Sequence, residues 1–141
     1  MRDSAPMQAE PSPSAPGADA QVTVLLVDDQ ERFRGALREL IACAEGFALV
    51  GEASSGEEAT RAVQTLAPQL VLMDVVMPGM GGIAAARTII DRRPAPLVVL
   101  ISVDDRSVHP EAGDLGASVP YVQKQDLKPS RLRELWEGRP D

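Results

Sequence analysis

The stretch that decides the fold is Leu70-Val71-Leu72-Met73-Asp74-Val75-Val76-Met77-Pro78-Gly79-Met80-Gly81. An apolar run of strand length stops at Asp74, and a loop rich in proline and glycine follows. A second run of this kind, Val22 to Val27, stops at Asp28 and Asp29. Short apolar runs bounded by loop signals are typical of strands that are buried on both faces of a parallel sheet. The two runs therefore predict two strands of one α/β sheet.

Acidic residues follow both predicted strands. Open parallel sheets bind their ligands outside the carboxyl ends of the strands. We therefore expect Asp28, Asp29 and Asp74 to lie at the same edge. Three carboxylates at close range raise one another's pKa, and they cannot all stay ionised without a cation. Because Mg²⁺ takes oxygen ligands and keeps coordination positions open for phosphate oxygens, the pattern predicts a magnesium site.

Length, net charge and cysteine content limit the classes of protein to which this chain can belong. The 141 residues are enough for one domain with a hydrophobic core, and the net charge of −7 argues against nucleic acid or an anionic membrane as a standing partner. No apolar run approaches the length of a membrane span, and no signal peptide is expected. A single cysteine, Cys43, suits the cytoplasm, where we expect the protein. Cys43 is predicted to be a small buried residue on the apolar side of a helix.

Strand and helix patterns alternate along the rest of the chain. Further strands are predicted at Phe47 to Ala53, Leu97 to Ile101 and Val119 to Val122. Apolar residues recur at helical spacing in the connecting segments and after the last strand. The alternation predicts a doubly wound α/β sandwich. The connection from Val103 to Ser118 contains His109-Pro110, so its helix, the fourth, is expected to be short or broken.

The ends of the chain lack this periodicity. Residues 1–20 hold four prolines among alanine, serine and glycine, which predicts a disordered tail. We therefore divide the chain into a tail over 1–20, one domain over 21–138 and a short tail over 139–141.

Polar groups follow four of the predicted strands, and at these positions the sequence resembles the receiver domain of bacterial two-component response regulators. The matching pieces are Val27-Asp28-Asp29, the motif Asp74-x-x-Met77-Pro78-x-Met80, the hydroxyl of Ser102, and Tyr121-x-x-Lys124. The similarity runs from about residue 22 to residue 136. Each piece alone is a weak signal, whereas all of them in this order are highly specific.

The resemblance implies a flavodoxin-like fold with a five-stranded parallel sheet of order 2-1-3-4-5 and helices on both faces. It implies that Asp74 accepts a phosphoryl group from a phosphohistidine of a partner kinase. Asp28, Asp29 and Asp74 would hold Mg²⁺ together with the backbone carbonyl of Val76.

Three further roles are implied by the resemblance. Lys124 and the Ser102 hydroxyl would bind the phosphoryl oxygens. Ser102 and Tyr121 would form the switch that reports phosphorylation. The protein would not be an enzyme in the usual sense, because it would phosphorylate itself from a donor and lose the group slowly.

The expected function is that of a phosphorylation-switched receiver in a phosphorelay, signalling through protein–protein contacts. Its partners would be a sensor histidine kinase or phosphotransfer protein and a downstream protein that the sequence does not identify. Direct DNA binding and membrane contact are not expected, and a homodimer stays open. The sequence looks closest to receivers that carry a helix-turn-helix output domain. Because the chain ends five residues past Trp136, a stand-alone receiver is expected.

Three alternatives compete with this interpretation. Val103 stands where such domains usually have a small residue, and the connection over residues 103–118 is altered. These departures suit a degenerate receiver that binds partners without phosphorylation. A dinucleotide- or flavin-binding module would share the fold, but it requires G-x-G-x-x-G after the first strand, where this chain has Asp-Asp-Gln-Glu. A haloacid-dehalogenase-like phosphatase would require a second acid where Val76 stands.

Overall fold

The computed structural model describes residues 21–140, so the predicted tail over 1–20 lies outside the described residues. Over these described residues, five parallel strands form one sheet in the order β2-β1-β3-β4-β5. They are β1 (Val22–Val27), β2 (Phe47–Ala53), β3 (Leu70–Asp74), β4 (Leu97–Ser102) and β5 (Tyr121–Gln123). The order confirms the predicted flavodoxin-like topology.

The fifth strand begins two residues later than predicted. The N–H of Val119 donates to the carbonyl of Gly116 in a turn, and Pro120 has no N–H to donate. Val119 is nevertheless buried, which explains why its apolar character suggested a strand. Regular pairing with β4 starts at Tyr121, opposite Leu100.

Within the described part of the chain, four α-helices cover the two faces of the sheet. They are α1 (Glu31–Cys43), α2 (Gly56–Leu66), α3 (Gly82–Ile90) and α4 (Pro129–Glu137). Leu25 and Val27 of β1 belong to the apolar cluster under α2 and α3, and Val24 and Leu26 belong to the cluster under α1 and α4. Because side chains alternate along a strand, β1 is buried on both faces, as its continuous apolar run predicted. Within residues 21–140, no helix has the length and apolar character that a membrane crossing requires.

The connection between β4 and β5 confirms the prediction of a short or broken fourth helix. It forms two 3₁₀-helical turns, Arg106–Val108 and Pro110–Leu115, which are separated at His109. Pro110 opens the second turn, where its missing N–H costs no helical hydrogen bond. Ala112 and Leu115 are buried against the cluster under α2 and α3, so this connection is packed onto the sheet.

The prediction for Cys43 was wrong. Cys43 is the last residue of α1, and its side chain is exposed. The buried residues of this helix are Leu37 and Ile41. At about 100° per residue, two positions beyond Ile41 lie on the opposite side of a helix, which explains the exposure.

Gly82 lies where α3 touches the end of β3. A Cβ atom added there would overlap the carbonyl oxygen of Asp74 and would lie 2.9 Å from the Cα of Val75. The N–H of Gly82 also donates to the carbonyl of Val75 at 3.1 Å. The absence of a side chain at residue 82 therefore fixes how closely α3 approaches Asp74.

We expect Gly82→Ala to lower the free energy of unfolding by at least about 1–3 kcal/mol, because the added methyl group must displace backbone. Urea denaturation measures this loss. The matched control is Gly113→Ala, since a Cβ at Gly113 meets nothing within 4 Å. Equal stabilities of the two variants would contradict the prediction.

Candidate functional site

Three aspartates meet where β1 and β3 end. The two strands are hydrogen-bonded neighbours with Val27 opposite Met73, so Asp28 and Asp74 follow side by side. Carboxylate oxygens of Asp28, Asp29 and Asp74 all lie within 4.8 Å of one another. Asp28 is fully buried, Asp74 is 5% exposed, and Asp29 is partly exposed. The structure thus brings together the three carboxylates that the sequence placed at one sheet edge.

The environment of Asp74 disfavours its charge. Burial, followed by the negative charge of Asp28, raises the pKa of Asp74 to about 7. The positive charge of Lys124 and a 3.3 Å hydrogen bond from the N–H of Val76 oppose this rise. Near neutral pH the cluster therefore has too little positive charge to keep every carboxylate fully ionised.

Lys124 follows β5 and reaches into the cluster. Its ammonium nitrogen lies 2.8 Å from Oδ2 of Asp28 and 3.7 Å from Oδ2 of Asp74. The side chain is only 11% exposed, and the ammonium lies over the ring of Phe33. Lys124 therefore supplies the positive charge between the two buried carboxylates.

Two hydrogen-bond donors at the start of α1 hold Asp28 in place. The carboxylate of Asp28 accepts a hydrogen bond of 2.9 Å from the N–H of Gln30, and its backbone carbonyl accepts one of 2.6 Å from the guanidinium of Arg34. Arg34 also pairs with Glu31 and, at 3.3 Å, with Glu52. These contacts anchor the end of β1 to the first turns of α1.

Sequence reasoning missed Phe33 and Arg34. Phe33 lies at helical spacing from Leu37 and Ile41 and so resembles a core residue of α1, and Arg34 resembles any surface charge. Only their position in the first turn of the helix that follows the acidic pair could have indicated a role at the site.

Ser102 and Tyr121 are joined through the backbone of one residue, Asp104. Ser102 ends β4 and is buried, and its Oγ accepts a hydrogen bond of 3.0 Å from the N–H of Asp104. The hydroxyl of Tyr121 donates to the carbonyl of Asp104 at 2.9 Å. Burial raises the pKa of the Tyr121 hydroxyl, so it stays a donor at neutral pH. A movement of Ser102 would therefore be transmitted to Tyr121 through the backbone of Asp104.

Apolar side chains follow the ends of β3 and β4. Val76 and Val103 are each 54% exposed. The carboxylate of Asp104 is 3.1 Å from Nε2 of His109. The exposure of Val103 shows that its side chain projects largely to solvent and does not fill the interior.

Fold and site together define a doubly wound α/β domain with buried carboxylates and a lysine at its topological switch point, between β1 and β3. Residues 24–137 match the model of the response regulator receiver domain family. The chain therefore belongs to that family, which is the receiver domain of two-component response regulators.

Individual relatives agree with this assignment. The chain is 40% identical over 129 residues to the transcriptional regulatory protein PdtaR of Mycobacterium tuberculosis, covering 84% of this chain and 62% of the relative. It thus spans less than two thirds of that protein's length. The receiver domain of the putative response regulator NarL, also from M. tuberculosis, superimposes with a TM-score of 0.73 at 27% identity, covering 84% of this chain and 98% of that one.

A third similar structure is a complex of two proteins with BeF₃ and Mg²⁺. It is the CheX–CheY–BeF₃–Mg²⁺ complex from Borrelia burgdorferi, with a TM-score of 0.67 and 25% identity. The similarity covers 81% of this chain and 85% of that chain.

Proposed function

We propose that this chain is a phosphorylation-switched receiver in which Asp74 accepts a phosphoryl group from a histidine kinase or phosphotransfer protein. The observation that carries the proposal is the cluster of three carboxylates with Lys124 between two of them. A carboxylate can act as a nucleophile toward phosphorus, and a neighbouring ammonium can bind the oxygens of the incoming group.

The donor set fits Mg²⁺. Asp28, Asp29 and Asp74 offer hard oxygen ligands within 4.8 Å of one another, and the raised pKa of Asp74 indicates that a cation is favoured there. These three residues would hold the ion, with the backbone carbonyl of Val76 as the further ligand. When bound, Mg²⁺ supplies positive charge beside the acceptor carboxylate and the phosphoryl oxygens.

In the proposed transfer, a carboxylate oxygen of Asp74 forms a bond to phosphorus while the bond from phosphorus to the donor's histidine nitrogen breaks. The nitrogen keeps the electron pair of the broken bond. Lys124 would donate to the phosphoryl oxygens. Ser102 can donate as well, because its Oγ accepts from the N–H of Asp104 and its own proton stays free for another acceptor.

Signalling would use the link between Ser102 and Tyr121. If Ser102 moves toward a phosphoryl group on Asp74, the hydrogen bonds that join it through the backbone of Asp104 to Tyr121 must change. Close-packed elements amplify such small shifts by changing between discrete arrangements. The downstream partner would be a protein that distinguishes the two arrangements.

Labelling with acetyl phosphate tests the proposal. Wild type is expected to gain the mass of one phosphoryl group in the presence of Mg²⁺ and to stay unlabelled in excess chelator, and Asp74→Asn is the matched control. If wild type remains unlabelled and does not bind beryllofluoride, the proposal fails. The degenerate receiver, which the altered connection between β4 and β5 would suit, then becomes the better interpretation.

Slow loss of the phosphoryl group is expected from the residues near Asp74. Hydrolysis needs a water molecule in line with the bond to phosphorus, and the apolar side chain of Val76 cannot orient one. The carboxylate of Asp104 is already close to His109. We therefore expect Val76→Asn to accelerate the loss about tenfold, which corresponds to ~1.4 kcal/mol in the barrier.

A decay time course after removal of the donor measures this rate. Val50→Asn is the matched control, because Val50 is 39% exposed in β2, away from the carboxyl end of the strand. Decay of phosphorylated Val76→Asn at the wild-type rate would show that residue 76 does not limit access of water.

A further inference from the structure

The ammonium group of Lys124 lies over an aromatic ring. Its nitrogen is 3.9 Å from the centroid of Phe33, which belongs to the first turn of α1. The same nitrogen is 2.8 Å from the carboxylate of Asp28. Lys124 comes from the far edge of the sheet, after β5, whereas Phe33 follows β1 in the chain. The contact therefore joins two distant parts of the chain at the site.

Phe33 is not simply another core residue. Among the described residues, neither apolar cluster includes Phe33, although partly buried side chains pack against both clusters. The other phenylalanine of the chain, Phe47, is buried in the cluster under α1 and α4. Phe33 is only partly buried, and its ring is directed at a charged group.

A ring and a carboxylate hold an ammonium group in different ways. The face of an aromatic ring attracts a cation within about 6 Å of its centroid, and the attraction grows where water is excluded. The side chain of Lys124 is only 11% exposed, so this condition is met. A ring offers no charged acceptor, so it can hold the ammonium without competing for the hydrogen bonds that a phosphoryl oxygen would accept.

The helix turn that carries the ring is anchored by Arg34. The next residue, Arg34, donates to the backbone carbonyl of Asp28 at 2.6 Å and pairs with Glu52 of β2 at 3.3 Å. The first turn of α1 is therefore fixed relative to the acidic cluster. The backbone of Phe33 is consequently anchored close to Asp28.

We propose that Phe33 is a positioning residue for phosphoryl transfer, whose ring face holds the Lys124 ammonium between Asp28 and Asp74. The inference rests on the proposed function of Asp74 as acceptor. Lys124 would exchange its bond to Asp28 for one to the phosphoryl group while it stays over the ring. Phe33 would thus raise the rate of transfer without touching the phosphoryl group itself.

Two measurements on the full chain test this inference. The first uses NMR of the metal-free protein, because the ring current of Phe33 must shift the Hε and Cε signals of Lys124. The second is the initial rate of labelling by acetyl phosphate at saturating Mg²⁺. We expect Phe33→Leu to remove the ring-current shift and to lower the labelling rate about fivefold. Phe33→Tyr retains the ring face and is expected to preserve both.

A graded variant separates charge from shape. Replacing Phe33 by fluorinated phenylalanines weakens the negative face of the ring at nearly constant size, so the labelling rate is expected to fall with each added fluorine. Phe47→Leu is the control, since it removes a ring from the core without a cation contact. It is expected to lower stability and leave the Lys124 signals in place.

Several outcomes would overturn the inference. One is an unchanged Lys124 spectrum in Phe33→Leu, and another is an unchanged labelling rate across the fluorinated series. A loss of rate in Phe47→Leu equal to that in Phe33→Leu would reduce the effect to general destabilisation. If wild type cannot be labelled at all, the proposed function fails together with the positioning role. If wild type is labelled well but the Phe33 variants change neither the Lys124 signals nor the labelling rate, only the positioning role is overturned.

Discussion

Asp29→Ala is expected to reduce Mg²⁺-dependent phosphorylation of Asp74 by at least about a hundredfold, since a directly bound metal contributes several kcal/mol to such a transfer. A carboxylate oxygen of Asp29 lies within 4.8 Å of oxygens of both Asp28 and Asp74. The carboxylate of Asp28 already binds the ammonium of Lys124 and the N–H of Gln30. We therefore expect Asp29 to be the more available ligand for a cation.

The fold is expected to survive this substitution. Asp29 is partly exposed at the edge of the sheet and belongs to neither apolar cluster. Its negative charge contributes to the raised pKa of Asp74, so its removal relieves repulsion. The melting temperature of the metal-free variant should therefore equal or exceed that of wild type.

Labelling by acetyl phosphate over a series of Mg²⁺ concentrations measures the loss, and circular dichroism measures the melting temperature. Asp114→Ala is the matched control, because it removes an exposed aspartate from the connection between β4 and β5. If Asp29→Ala reaches the wild-type labelling rate at saturating Mg²⁺, Asp29 is not a metal ligand.

The sheet and the acidic edge could be predicted because their causes are local in the sequence. Continuous apolar runs require burial on both faces, and the run at β3 ends at Asp74 because a charged group cannot continue into the core. Pro110 breaks the helix between β4 and β5 whatever the tertiary structure around it, because proline lacks an N–H. Such effects depend on a few neighbouring residues, so one sequence is enough to predict them.

Contacts between distant segments could not be predicted in this way. The sequence placed Lys124 at the site, but its shorter contact is with Asp28 and its longer one with Asp74. The preference of Lys124 for Asp28 depends on how β5 lies relative to β1, and these two strands are not neighbours in the sheet. The position of the Phe33 ring under the ammonium has the same origin. The error at Cys43 has a local cause, because the helical phase set by Leu37 and Ile41 already puts residue 43 on the opposite face of α1.

The metal-free protein is expected to lose stability as pH rises from about 4 to about 7, and Asp74 is the reason. Burial and the charge of Asp28 raise the pKa of Asp74 in the folded protein from 3.8 to about 7. Between these values, the folded protein binds a proton that the unfolded chain has released. Stability therefore falls with rising pH, by at most about 1.4 kcal/mol per unit for one proton.

Three other carboxylates act in the opposite direction, in a lower pH range. A hydrogen bond from Arg38 lowers the pKa of Glu52, and hydrogen bonds from Ser54 lower the pKa of Glu58. Hydrogen bonds from Ser107 lower the pKa of Asp105. Their stabilising contributions are present above the ordinary pKa values of glutamate and aspartate and are lost as pH falls. Measurements from about pH 5 to about pH 8 therefore isolate the contribution of Asp74.

Asp74→Asn is expected to abolish most of this slope and to make the metal-free protein more stable than wild type at about pH 8, by an amount on the order of a few kcal/mol. The amide is neutral at every pH, so burial no longer opposes a charge. Urea denaturation at each pH measures the difference, and Asp114→Asn serves as the control that should keep the slope. Saturating Mg²⁺ should also reduce the pH dependence of the wild-type free energy of unfolding, because a bound cation favours the ionised carboxylates. A wild-type slope that persists unchanged in Asp74→Asn would show that Asp74 is ionised in the folded protein across this range, and the cluster would then be balanced by Lys124 alone.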